Sequence, residues 1–78
     1  MTRYFFHIKG EAKTVLDEEG IELTDLDEVR EEATGSARQL MSEQVLRGQA
    51  PNGREFVVVD EQGQIVLTFP FKLAIRDC

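Results

Sequence analysis

The stretch DLDEVREEATGSARQLMSEQVLRG, residues 25–48, decides the fold class. Asp25 can accept hydrogen bonds from the free amides of a first helical turn. Glu28, three residues on, can reach back to the Asp25 amide, so the pair forms a capping box. Leu26, Val29, Ala33, Ala37, Leu40, Met41 and Val45 then recur at spacings of three and four, which predicts one long amphipathic helix with a single stripe turned to a core. Gly48 is a natural stop, and Asp27 and Glu28 in the first turn with Arg47 in the last complement the helix dipole. Gly35 lies inside this helix, where glycine costs about 1 kcal/mol relative to alanine. Either another backbone, from the sheet or a partner, approaches closely there, or the position is a tolerated weak spot.

On both sides of the helix the sequence changes to β patterns. RYFFHIK, residues 3–9, is rich in β-forming aromatics, with Tyr4, Phe6 and Ile8 on one face and Phe5 and His7 on the other. After a turn at Lys9-Gly10-Glu11, Thr14-Val15-Leu16 is a shorter strand ended by Asp17-Glu18-Glu19-Gly20, and Ile21 and Leu23 sit as alternate residues of an extended segment. Beyond the loop at Pro51-Asn52-Gly53, EFVVVD (55–60) and QIVLTF (64–69) flank Glu61-Gln62-Gly63 as the arms of a hairpin. Pro70 cannot donate to a ladder, so the last strand ends near it or lies at an edge, and Phe71 to Ile75 returns over the core. The expected architecture is a single α+β domain over residues 1–78, in the order β-β-α-β-β, with one long helix packed on an antiparallel sheet.

A chain of 78 residues is too short for two cores. Sheets open to water on one side alternate apolar with polar residues. Here Tyr4-Phe5-Phe6, Phe56-Val57-Val58-Val59 and Ile65-Val66-Leu67 are apolar on both faces, more than one helix can hide. The tail is too short to cover a second face, so a homodimer is expected.

The lone cysteine, Cys78, has no intrachain disulfide partner, which favours a reducing compartment. The apolar run at Tyr4 to Phe6 is broken by His7, Lys9 and Glu11. Neither a signal peptide nor a membrane anchor is expected, and the protein reads as cytoplasmic.

The net charge of −6 is local: nine of fifteen acids lie between Asp17 and Glu32, where Arg30 is the single base, and the rest of the chain is slightly positive. Glu18, Glu19, Asp27, Glu28, Glu31 and Glu32 are therefore the candidate interaction surface, facing a basic protein partner. The spacing lacks the alternating acids and glycine of a calcium loop, and a solvated, capping helix start is the plainer reading. His7, the only histidine, is the candidate base of a rival enzyme or ligand-binding reading, though the sequence supplies it no partner. His7 and Cys78 fall short of a zinc site. Arg3, Lys9, Lys13 and Arg54 near Tyr4, Phe5 and Phe6 raise nucleic-acid stacking, which the net charge opposes. No catalytic residue, cofactor or metal is assigned.

Arg3-Tyr4-Phe5-Phe6-His7, Asp17-Glu18-Glu19-Gly20-Ile21-Glu22-Leu23, Ser36-Ala37-Arg38-Gln39-Leu40, Phe56 to Gly63 and Val66 to Phe71 together resemble a family of short bacterial proteins of unknown function. The resemblance implies one compact domain in a bacterial cytoplasm and brings no activity or site. Leu26-Asp27-Glu28-Val29-Arg30-Glu31-Glu32-Ala33 is similar to the acidic helix opening of HicB-type antitoxins. The chain departs from them at Glu22-Leu23-Thr24-Asp25-Leu26, which lacks their proline- and glycine-containing loop. That likeness implies an acidic surface neutralising a basic toxin, with no catalytic residue. The combined expectation is a non-enzymatic, dimeric protein-interaction module.

Overall fold

Strand β1, Thr2–Lys9, organises the sheet of the computed structural model, which describes residues 1–48 and 53–75. The other elements are β2 (Thr14–Val15), β3 (Ile21–Leu23), the helix α1 (Leu26–Leu46), β4 (Glu55–Val59), β5 (Ile65–Pro70) and a 3-10 helix (Phe71–Ile75). One edge of β1 pairs antiparallel with β4, from Phe5 opposite Val59 to Lys9 opposite Glu55, and β4 pairs antiparallel with β5. The other edge of β1 is divided: β3 takes Thr2 to Tyr4, and β2 takes Ile8 and Lys9. The α+β fold with one long helix and an antiparallel sheet is thus present, and the extended pair Ile21 and Leu23 becomes a strand through its pairing with β1.

Helix and sheet form two layers, 16 Å along the shortest axis. Val29, Ala33, Ala37 and Met41, spaced by four, are buried against Tyr4, Phe56, Val58 and Phe69. The two alanines allow the helix backbone close to the sheet, and the large side chains come from the strands. Phe56 stands edge-on to Phe6 with centroids 5.7 Å apart and lies 4.8 Å from the ring of Phe71. The register slips between Val58 and Val59, which oppose Leu67 and Ile65, so Val66 is the extra residue of a bulge. Val66 and Leu67 both pack on the core as a result. β5 is an edge strand and ends at Pro70, as the sequence suggests.

Three expectations change. Leu26 and Val45, read as part of the buried stripe, are 52% and 57% exposed. A 21-residue helix is about 31 Å long at 1.5 Å per residue, so its end turns overhang the strands it covers. The capping box is displaced by one residue: Asp25 accepts from the Glu28 amide at 3.0 Å, but Glu28 reaches the Thr24 amide at 2.7 Å. Arg47 is the C-cap and lies outside the last helical turn. The segment Phe71 to Ile75 does return over the core, burying Phe71 and Ala74 against α1 on the face already covered. Arg38 Nε holds it there by donating to the Ala74 carbonyl at 2.7 Å.

Gly20 and Gly35 respond oppositely to a methyl group. Gly20 has φ 71°, and a Cβ there would sit 2.8 Å from Arg3 Cγ and 2.9 Å from the Tyr4 carbonyl oxygen. A Cβ on Gly35 would meet open space, so among the described residues no backbone from another element approaches it. In urea denaturation, Gly35→Ala is expected to raise stability by about 0.5–1 kcal/mol. Gly20→Ala is expected to lower it by at least about 2 kcal/mol. A destabilised Gly35→Ala would show that this helix face is in contact with something outside the protomer.

Candidate functional site

The face of the sheet turned away from α1 is set by the strand registers. Phe5, Val59 and Ile65 form one cross-strand row; His7, Val57 and Thr68 form the next; Lys9, Glu55 and Pro70 the third. Arg3, opposite Glu22, extends the face on the β3 side, with an ion pair of 3.3 Å between them. Among the described residues no helix or strand lies over this face, since α1 and the 3-10 helix both pack on the other. Phe5, Val57 and Val59 shield one another and are partly buried, whereas Ile65 at the edge is 64% exposed. The centre of the face is therefore apolar, and its rim carries Arg3 and Lys9 together with Glu22 and Glu55.

Along the divided edge of β1 a gap separates β2 from β3, and Asp17 fills it. Its carboxylate accepts from the Phe6 amide at 3.0 Å, from Gly20 at 3.1 Å and from Glu19 at 3.2 Å. Its own amide donates to His7 Nδ1 at 3.0 Å, which places the proton of the neutral imidazole on Nε2. A side chain thus completes a ladder that the backbone leaves open, and the Asp-x-x-Gly turn brings the chain from β2 into β3. Partial burial pushes the Asp17 carboxyl up, but the Phe6, Gly20 and Glu19 amides and the adjacent His7 ring together outweigh it and hold its pKa below the ordinary 3.8. His7 and a carboxylate do lie side by side, as the enzyme reading requires. Yet the carboxylate is committed to three amides and the imidazole Nδ1 to a fourth, an arrangement that fastens a loop.

The acids singled out from sequence are carried by two parts of the chain, the Asp17 turn and α1. Glu18 and Glu19 lie exposed on the Asp17 turn, and the Glu19 carbonyl accepts from Arg3 at 2.7 Å. Asp27, Glu28 and Glu31 are exposed on α1, where Asp27 and Glu31 border a groove shared with Arg30 and Arg38. Glu28 is engaged in capping. Glu32 is partly buried, accepts from the Ser36 hydroxyl at 3.0 Å and faces a shallow cleft also lined by Asp17, Ser36 and Gln39. The run is thus divided among a turn, a cap and two grooves, because helix and turn point alternate residues in different directions. Sequence counts Asp17 as one solvated charge among nine; the glycine three residues later is the signal of its turn, but the gap in β1 is visible only in the fold.

Among the described residues no three of His, Asp, Glu and Cys converge as a metal site, and no helix is long and apolar enough to cross a membrane. Cys78 lies outside the described residues. Residues 3–72, from β1 into the 3-10 helix, match the family described as "Domain of unknown function (DUF6894)". No curated protein and no solved structure matches the chain.

Replacing Asp17 by Asn substitutes an amide nitrogen for one accepting oxygen and turns donor against donor at Phe6 or at the turn. Urea denaturation of Asp17→Asn at pH 7 is expected to show a loss of about 1–3 kcal/mol. Because the folded carboxyl titrates below its ordinary value, its contribution is complete above about pH 4 and fades as pH falls through the folded pKa. The gap between wild type and variant therefore narrows on acidification below pH 4, and a gap independent of pH would refute this role.

Proposed function

The chain belongs to the DUF6894 family, and we propose that it works as a non-enzymatic protein-interaction module, with the open sheet face holding two copies together. The observation that carries this reading is the row Phe5, Val59 and Ile65 on a face that no described element covers. Burying such a row against water-excluding side chains contributes roughly 25 cal/mol per Å2 of apolar area.

The rim favours a second copy as the occupant. An isologous interface needs a surface that complements itself. This rim carries both signs, with Arg3 beside Glu22 and Lys9 beside Glu55, so a two-fold related copy can set each cation against an anion. A partner of one strong charge would be repelled by half of it. In such a dimer the helices lie outside, and the exposed acids Glu18, Asp27 and Glu31 stay available to a basic protein.

Light scattering on the eluting peak at micromolar concentration is expected to give twice the 8.9 kDa of one chain. Val59→Lys, which places an ammonium group in the apolar row, is expected to give the single-chain mass with unchanged far-ultraviolet circular dichroism. A wild-type monomer at that concentration would overturn the reading. If the dimer forms, a pull-down with the exposed Glu18, Asp27 and Glu31 reversed to Lys tests the acidic end: recovery of a basic protein equal to that of the wild type would exclude it.

A further inference from the structure

The hydrogen bond from the Asp17 amide to His7 Nδ1, 3.0 Å long, requires a neutral ring. A neutral imidazole offers Nδ1 as an acceptor, whereas the charged ring carries a proton on both nitrogens and would set donor against donor at Asp17. Imidazole is also the side chain whose charge ordinarily changes between about pH 5 and 8.

Among the described residues, the groups around this ring largely cancel. Val57 of β4 and Thr68 of β5, in its cross-strand row, carry no charge, and neither do Thr14 and Val15 of β2. Lys9 on β1 stands opposite Glu55 on β4, and beyond Phe5 Arg3 is paired with Glu22 of β3. Glu18 and Glu19 are exposed on the turn. Asp17 remains, and it acts in both senses: its amide needs a neutral ring, while its carboxylate attracts a charged one. That carboxylate already accepts from the Phe6, Glu19 and Gly20 amides. A charged His7 therefore removes one bond of the turn and competes for the others.

The turn is also a neighbour of the open face. Gly20 closes it over Phe5, since a Cβ at Gly20 would lie 2.9 Å from Phe5 Cε2. Phe5 begins the apolar row completed by Val59 and Ile65, and His7 stands in the next row. Loosening the turn uncovers one side of Phe5.

We infer that His7 is a pH-sensitive latch on the Asp17 turn, closed while its ring is neutral, and that opening it parts the two copies, a role that rests on the association proposed above. Charging the ring places a cation beside the apolar row that the second copy covers. In a two-fold pair that desolvation cost is met twice.

The test takes the nitrogen-15-labelled full chain from about pH 7.5 to about pH 5.5, above the ordinary carboxylate range. The His7 ring signals report its charge, hydrogen exchange reports the Asp17 amide, and light scattering over a concentration series reports the dimer. As the ring charges, protection of the Asp17 amide, corrected for intrinsic exchange, is expected to fall about fivefold, and the dimer dissociation constant to rise by at least about that factor, as loss of one hydrogen bond implies. His7→Asn sets an uncharged amide oxygen near the place of Nδ1 and is expected to abolish both responses. The wild-type exchange decides even where asparagine weakens β1. An Asp17 amide that stays protected while the ring charges, or a His7→Asn response equal to that of the wild type, would overturn the latch. A dimer of unchanged affinity over an opening turn would overturn its coupling to association. A single-chain mass at both pH values with an opening turn would support the latch and overturn the association.

Discussion

One helix can cover one face of a sheet, and among the described residues there is one α-helix. The 3-10 helix, the one other element outside the sheet among the described residues, is drawn to the same side because Phe71 fills the space between Phe56 and α1. The result is a molecule two layers thick, 16 Å along its shortest axis, whose strands are apolar on both sides. On the inner side Val29, Ala33, Ala37 and Met41 meet Phe56, Val58 and Phe69. On the outer side Phe5, Val57, Val59 and Ile65 have one another and, beside Phe5, the turn at Gly20. The proposed association rests on that asymmetry, because no described element of the protomer supplies a third layer.

The sheet itself depends on β1, which is long enough to serve four neighbours. β4 occupies one edge, and β2, the Asp17 turn and β3 share the other. A strand of two residues and one of three would be weak alone. Asp17 joins them by giving the Phe6 amide a carboxylate where a backbone carbonyl would otherwise stand, and by tying its own amide to His7. Gly20 is needed at the end of this turn because the chain passes directly over Arg3, Tyr4 and Phe5. His7 and Asp17, which together suggest acid-base chemistry, are therefore arranged as a fastening.

Elements with a strong local signal are readable in the sequence. The capped helix, the hairpin from Glu55 to Pro70 and the two faces of β1 all follow from periodicity and turn chemistry, since those forces act within a few residues. Features set by distant packing are not. Leu26 and Val45 fit the helical stripe yet overhang the sheet, which depends on where the strands end. The destination of Phe71 depends on a space that exists only once Phe56 and α1 are in place. Glu28 takes the Thr24 amide because the turn before the helix brings that donor nearer. The acidic run illustrates the limit for sites: charge is visible from composition, whereas its division among a turn, a cap and two grooves is a matter of geometry.

The association account is tested most directly by isotope-filtered NOE spectroscopy on a mixture of carbon-13-labelled and unlabelled chains. Intermolecular contacts between the Phe5 ring of one copy and the methyl groups of Val57, Val59 or Ile65 of the other are the predicted result. A dimer whose intermolecular contacts fall on the α1 side, or a sample with none at millimolar concentration, would contradict it.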